Sequence, residues 1–508
     1  MRRYPRLLTP FALAAIAFST GCGSTTGVDG GGSILPPPPP SGPLLPFRIG
    51  SFGADFAKAV ANDASGNGYV ISSFSGTVDF DASGNANAKI SFGGSDIALA
   101  KYRSDGTLSW VVQLGGSGAD LPFDAKVASS GAVYYVGYAN AGALCSGNVV
   151  RNAGGRDALI VRVSAVGVCE WALGIGGSGD DEARSLVIEP NGDVVVTGIF
   201  RGTVDFDLSG GTAILVSRGL SDVFVARYSS TGAFKQVVQF GGTEDDAGYA
   251  LARTSEGDLI VGGEFRGIAT FGSELAPVLL GSVGESDFFL ARLAPSLGLQ
   301  WAIRGGGPGP DLVSSNGIAV DANGTLLVTG TFNGVADFDP SSGSILLQSQ
   351  GKTDVFLVRY DGTGVWSGLA LRYGGNETDG VQAMTRDSFG NLYLAGWFQG
   401  NVDFDPSGEA HVVDALGKAG ASDGYLLSLG QGGEFRWVST VGAVIAGDAN
   451  TTVTSGVSVT GDGGIWGVGR FFGLADLDPS SEAVQVQSLG DADQFVVRYA
   501  AGTGKLRR

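Results

Sequence analysis

A chain of 508 residues carries a net charge of −18, yet only 16% of its residues are charged, 43% are apolar and 86 are glycine. Nucleic acid is excluded as an expected partner, because phosphate binding needs clustered Lys and Arg. Disorder is excluded because the apolar content is ample for a core. With a single histidine and three cysteines, a multi-histidine zinc or iron site within one chain is ruled out.

The N-terminus has a basic head containing Arg2, Arg3 and Arg6, a mainly apolar run over residues 7–18, and then Ser19-Thr20-Gly21-Cys22. A basic head, an apolar segment too short to span a bilayer and small residues before a break predict a signal peptide over residues 1–22. Thr20-Gly21-Cys22 resembles the end of a bacterial lipobox, which implies a lipid on Cys22; Ser19 departs from the usual Leu of that pattern. Residues 23–43 are rich in Gly, Ser and Pro, and Pro36 to Pro40 favour a semi-rigid polyproline II tether.

From there the chain repeats itself. Asp96-Ile-Ala-Leu-Ala-Lys-Tyr recurs in related form at Asp157, Asp222, Asp287, Asp354, Asp423 and Asp493, at spacings of 61 to 70 residues. Each unit reads as four short strands, A to D. In the third unit these are residues 183–189, 193–200, 222–228 and 234–240. Along strand C, Val223, Val225 and Arg227 alternate with Phe224, Ala226 and Tyr228, as a strand with two different faces requires. Gly-containing pairs such as Asn191-Gly192 predict two-residue A–B turns. A longer excursion follows strand B.

Four antiparallel strands per unit, repeated seven times, predict an all-β fold: one seven-bladed β-propeller over residues 44–500. Blades begin near residues 55, 120, 181, 246, 311, 379 and 448, and a basic tail covers 501–508. The last unit lacks strand D, while residues 44–52 parallel a D strand at the other end of the chain. They are expected to complete blade seven and to remove an exposed edge. Residues 319–330, followed by Asp354-Val-Phe-Leu-Val-Arg-Tyr and a Trp on strand D, resemble the SBBP-type propeller repeats of bacterial surface proteins and, more distantly, NHL repeats. That resemblance implies a fold and an extracytoplasmic setting, but no single activity.

Candidate chemistry is sparse. His411 lies alone in the blade-six excursion, so a histidine-based catalytic device would rest on that one residue. Trp110, Trp171, Trp301, Trp366 and Trp437 recur on strand D, and read as packing between blades. The seven strand-C aspartates read as acceptors for backbone amides of adjoining turns. Cys145 and Cys169 both fall in blade two; export makes a disulfide available, but the two positions read toward opposite ends of the blade, and the pairing stays open. The excursions carry Asp79-Phe-Asp81, Asp205-Phe-Asp207, Asp337-Phe-Asp339, Asp403-Phe-Asp405 and Asp476-Leu-Asp478, each followed by Ser two residues on. Alternating oxygen ligands resemble half of a calcium loop. No further carboxylate recurs at a fixed offset, and turn capping explains the same residues. Calcium is the one cofactor left open.

The long excursions and the Gly-Gly-x-x-x-Asp interblade segments share one face, which is read as acidic and variable. Loops on a rigid scaffold are where binding resides. The expectation is a non-catalytic binding or scaffold protein of the cell envelope. It is exported, monomeric and anchored only by lipid, and that face meets a surface protein or glycan. The alternative is a polysaccharide hydrolase or lyase with paired carboxylates.

Overall fold

A computed structural model of the protein describes residues 45–84, 87–407, 409–418, 420–444, 450–478 and 483–507. The signal peptide, Cys22 and the tether, all of them expectations from sequence, lie outside the described residues, as do residue 448 and Ser480. Among the described residues every regular element is a strand, and seven four-stranded antiparallel blades form the propeller.

Blade three illustrates the unit, with strands at Glu182–Ile188, Val194–Phe200, Asp222–Tyr228 and Phe234–Gly242. The two faces of its strand C enter two different cores. Val223 and Val225 join the cluster shared with blade four, whereas Phe224, Ala226 and Tyr228 join the one shared with blade two. Seven such clusters fill the seven interfaces between blades. Burial on both faces explains why strands B and C read as near-continuous apolar runs. The A–B turns are one residue longer than the two-residue turns expected. Glu189 N–H donates to Asp193 O, while Gly192 N–H donates back to Glu189 O. Gly192 therefore takes the positive φ of 85° at the third loop position.

Blade seven is closed from both ends of the chain. Phe47–Ile49 pairs antiparallel with Asp493–Ala500, with Phe47 opposite Val496 and Ile49 opposite Gln494. Arg48 Nη1 lies 2.8 Å from Asp493 Oδ2. Arg304 makes the same contact with Asp287 at 2.7 Å in blade four, so the clasp strand reproduces a D strand in detail. The tail is not a free basic extension. Ala500 N–H donates to Lys505 O and Arg507 N–H donates to Arg498 O, so the tail folds back as the turn that a C–D connection makes elsewhere.

Four of the strand-D tryptophans tie their own blade to the next. Nε1–H of Trp110, Trp171, Trp301 and Trp437 donates to a carbonyl at 165, 230, 362 and 501, in the C–D turn or tail of the following blade. Trp366 departs from this and donates to Leu369 O of its own strand.

Ile49 is 2% exposed and packs in the cluster that closes blade seven on blade one. Ile49→Ala should cost about 3 kcal/mol of unfolding free energy in a urea titration. A change below about 0.5 kcal/mol would mean that the clasp does not hold the ring shut.

Candidate functional site

The interblade aspartates of the Gly-Gly-x-x-x-Asp segments are not a solvated acidic rim. Asp120 Oδ2 accepts from Gly116 N at 2.9 Å, at the end of blade one, and Oδ1 accepts from Asn140 N at 2.7 Å, beyond strand B of blade two. Asp55, Asp181, Asp246, Asp311 and Asp379 repeat the arrangement, and all six carboxylates are buried. In blade seven Thr452 takes the position. The corresponding amide, Ala443 N, donates instead to Asp423. Burial pushes Asp246 and Asp311 up to about 7, and Asp55, Asp120, Asp181 and Asp379 up to about 6. Exposed acids on this face include Asp180 and Asp245.

The Asp-Phe-Asp excursions fold as small hairpins, such as Thr203–Asp205 against Ile214–Val216. Asp205 Oδ1 accepts from the amides of Asp207 and Ala213, and Asp207 Oδ1 from that of Ser209. Asp79 and Asp81 do the same, as do Asp337 with Asp339 and Asp403 with Asp405; Asp476 accepts the amides of Asp478 and Val484. The central Phe80, Phe206, Phe338, Phe404 and Leu477 are buried. These oxygens close a turn. Among the described residues no group of three or more His, Cys, Asp or Glu side chains is placed to hold a metal. His411 sits exposed in the blade-six hairpin with its ring against Phe435.

Cys145 and Cys169 are joined by a disulfide, their Cα atoms 5.6 Å apart. The sequence placed them toward opposite ends of the blade. The short blade-two hairpin, Leu144–Cys145 against Asn148–Val149, instead reaches the start of strand D, where Ser146 Oγ donates to Cys169 O.

The blades differ in their excursions and also in the central channel. In every blade the innermost strand, A, carries a β-bulge at the same height. The bulged residues are Lys58, Phe123, Arg184, Tyr249, Gln382 and Ser455, with the longer bulge 314–317 in blade five. A bulge re-aims a side chain without disturbing the strands around it. Here several of the re-aimed side chains meet at the channel mouth on the excursion face. Lys58, Gln382 and Ser455 line a recess of about 270 Å³ with Phe56, Trp397 and Arg470. Arg184, Tyr249, Ser314, Ser315 and Gln382 line an adjoining one of about 300 Å³, which shares the Trp397 wall. The Arg184 guanidinium lies 4.0 Å from the Phe123 ring centroid and 5.5 Å from that of Tyr249. Arg470 lies 4.8 Å from the centroid of Phe56. Burial, then the charges of Arg470 and Arg184, push the Lys58 ammonium down to about 8.

Deeper in the channel Asn316, at φ 52°, reaches across from blade five to blade two. Its Oδ1 accepts from Lys126 Nζ at 3.0 Å and its Nδ2 donates to Asp124 Oδ1 at 3.1 Å; Lys126 and Asp124 are themselves paired at 2.7 Å. This polar bridge lines the wider cavity, about 410 Å³, that continues toward the turn face.

No known protein family matches the chain. It is 27% identical over 453 residues to the regulatory protein FlaEY of Caulobacter vibrioides, across 86% of this chain and 45% of FlaEY. It is 24% identical over 223 residues to the uncharacterized WD repeat-containing protein L264 of Acanthamoeba polyphaga mimivirus, across 38% of this chain and 16% of L264. The chain thus spans less than half the length of either curated relative. Among solved structures it is similar to a PL25 ulvan lyase bound to a GlcA–Rha3S saccharide, at TM-score 0.44, 11% identity, and 91% and 98% of the two chains. It is also similar to a puromycin hydrolase, at TM-score 0.35, 12% identity, and 85% and 60%.

The buried aspartates set the pH response. Their folded-state values of about 6 to 7 lie above the ordinary carboxylate value of 3.8, so the folded chain binds more protons between these limits. Their contribution to stability is complete below about pH 4 and is lost as pH rises through 6 to 7. Urea midpoints should therefore rise from pH 8 to pH 5, and a flat or falling series would contradict the assignment. Reducing the disulfide, which closes a 24-residue separation, should cost about 3 kcal/mol in the same titration.

Proposed function

We propose that the protein is a non-catalytic binding protein of the cell envelope, of the SBBP-repeat type, exported and tethered through a lipid on Cys22. Its ligand site is the channel mouth on the excursion face, with the acidic outer loops keeping the molecule soluble around it. The observation that supports this reading is the ring of bulges. One backbone position recurs in seven blades, and it holds Lys58, Phe123, Arg184, Tyr249, Gln382, Ser455 and the 314–317 insertion. Residues that hold a fold together repeat from blade to blade, as the aspartates and tryptophans do. Variety at a repeated, inward-aimed position is what recognition of an asymmetric ligand requires. A hydrolase or lyase acting through paired carboxylates has less support, because the charged members of the ring are Lys58 and Arg184.

Ser455→Trp tests the site. The bulge already accommodates Phe123 and Tyr249, so the indole should fill the mouth and change stability by less than about 1 kcal/mol. Binding on an array of glycans and envelope proteins should fall at least about tenfold relative to the native chain. Undiminished binding would place the site elsewhere, and turnover of any arrayed oligosaccharide would overturn the non-catalytic reading.

A further inference from the structure

We infer that the channel mouth takes the carboxylate of an acidic sugar, held by Lys58 and Arg470 with the sugar ring against the aromatic walls beside them. The inference rests on the mouth being the binding site, and it adds the chemical class of the ligand.

Three observations carry it. The first is an uncompensated charge. In a chain of net charge −18, two cations are gathered in one recess without a carboxylate partner. Arg156 and Arg184 share Glu182, Lys126 is paired with Asp124, and Arg498 with Asp462. Lys58 makes no hydrogen bond or ion pair among the described residues, and Arg470 makes only its contact with the Phe56 ring. Both are partly buried, so each has given up water without gaining an anion. A buried charge without a counterion is costly, and an arriving anion removes the cost.

The second observation is that nearby acids are already engaged. Glu182 is held by two arginines and Glu264 accepts the Tyr249 hydroxyl at 2.7 Å. Asp379, at the edge of the adjoining recess, accepts two backbone amides. None of them turns to Lys58 or Arg470.

The third is the shape of the recess and the nature of its walls. Two joined recesses of about 270 and 300 Å³ suit small units in sequence, whereas a folded protein partner needs a broad surface. Phe56 and Trp397 stand beside the cations, and Gln382 and Ser455 add hydrogen-bonding groups. Apolar ring faces, amide and hydroxyl groups, and a fixed cation match the three parts of a uronate: its C–H face, its hydroxyls and its carboxylate.

The test is calorimetric titration of the full chain with trigalacturonate, maltotriose and triglutamate. Trigalacturonate should bind at least about tenfold more tightly than either of the others. Lys58→Gln and Arg470→Gln should each weaken it about tenfold or more, as loss of a charge-assisted hydrogen bond predicts. Lys58→Arg should retain binding. Melting temperatures accompany every variant; where Arg470→Gln alters folding, Lys58→Gln decides. Failure of trigalacturonate to bind overturns the inference, as does equal binding by Lys58→Gln. Equal or tighter binding of triglutamate overturns the sugar assignment. Tight maltotriose binding that Ser455→Trp abolishes overturns the anion while leaving the mouth as the site.

Discussion

A buried carboxylate that accepts one amide from the end of one blade and another from the next blade is the interaction on which this propeller depends. Six of the seven junctions use it. It fixes the height and the angle at which neighbouring blades meet. It also dictates its surroundings. At Gly176 a Cβ would lie 2.6 Å from Asp157 Cγ and 2.7 Å from Asp181 Oδ2, so only glycine leaves room for both side chains. The repeated Gly-Gly-x-x-x-Asp is therefore one device, and its acids belong to the framework. Their burial raises their pKa values, and the many acids of this chain are not equivalent surface charges.

Ring closure is the second constraint, and it follows from the first. Each junction needs a D strand on one side, so a seventh blade without one would leave both a gap and an unpaired edge. Residues 47–49 supply it, and Arg48 takes up the partnership with Asp493 that Arg304 and Arg372 have with their own strand-C aspartates. The tail does the same for Trp437, which finds its acceptor at Ala501. Both ends of the described chain are thus consumed by contacts that the other blades make internally.

A framework this repetitive separates stability from recognition. In some blades small residues flank the bulge, as in Ala57-Lys58-Ala59 and Ala183-Arg184-Ser185, and in every blade the inner strand stays paired while the bulged residue changes. Blade five goes further. Its longer bulge sends Asn316 across the axis to Lys126 and Asp124, giving the channel a polar bridge below the mouth. The excursion hairpins, closed by their own aspartates, form a second level of scaffold around this opening.

The sequence by itself determined the blade count, the four strands of each blade, the clasp and the structural use of the tryptophans and strand-C aspartates. All of these rest on local periodicity repeated seven times, so each copy corroborates the others. Side-chain alternation in strand C separated Val223 from Phe224 onto two faces, and the packing of the blades decided which neighbour each face meets. Tertiary structure alone decided the rest. Cys145 meets Cys169 because a short hairpin folds along the outer strand, a path that spacing does not encode. The interblade acids are buried because two blades converge on them. The ring of Lys58, Arg184, Tyr249 and Gln382 escaped notice because a bulge changes where a side chain points without marking the sequence. Residues as much as 397 positions apart become neighbours only when seven inner strands close around one axis. An alignment of the seven A strands, in which this one position changes from blade to blade, is the signal in the sequence that locates them.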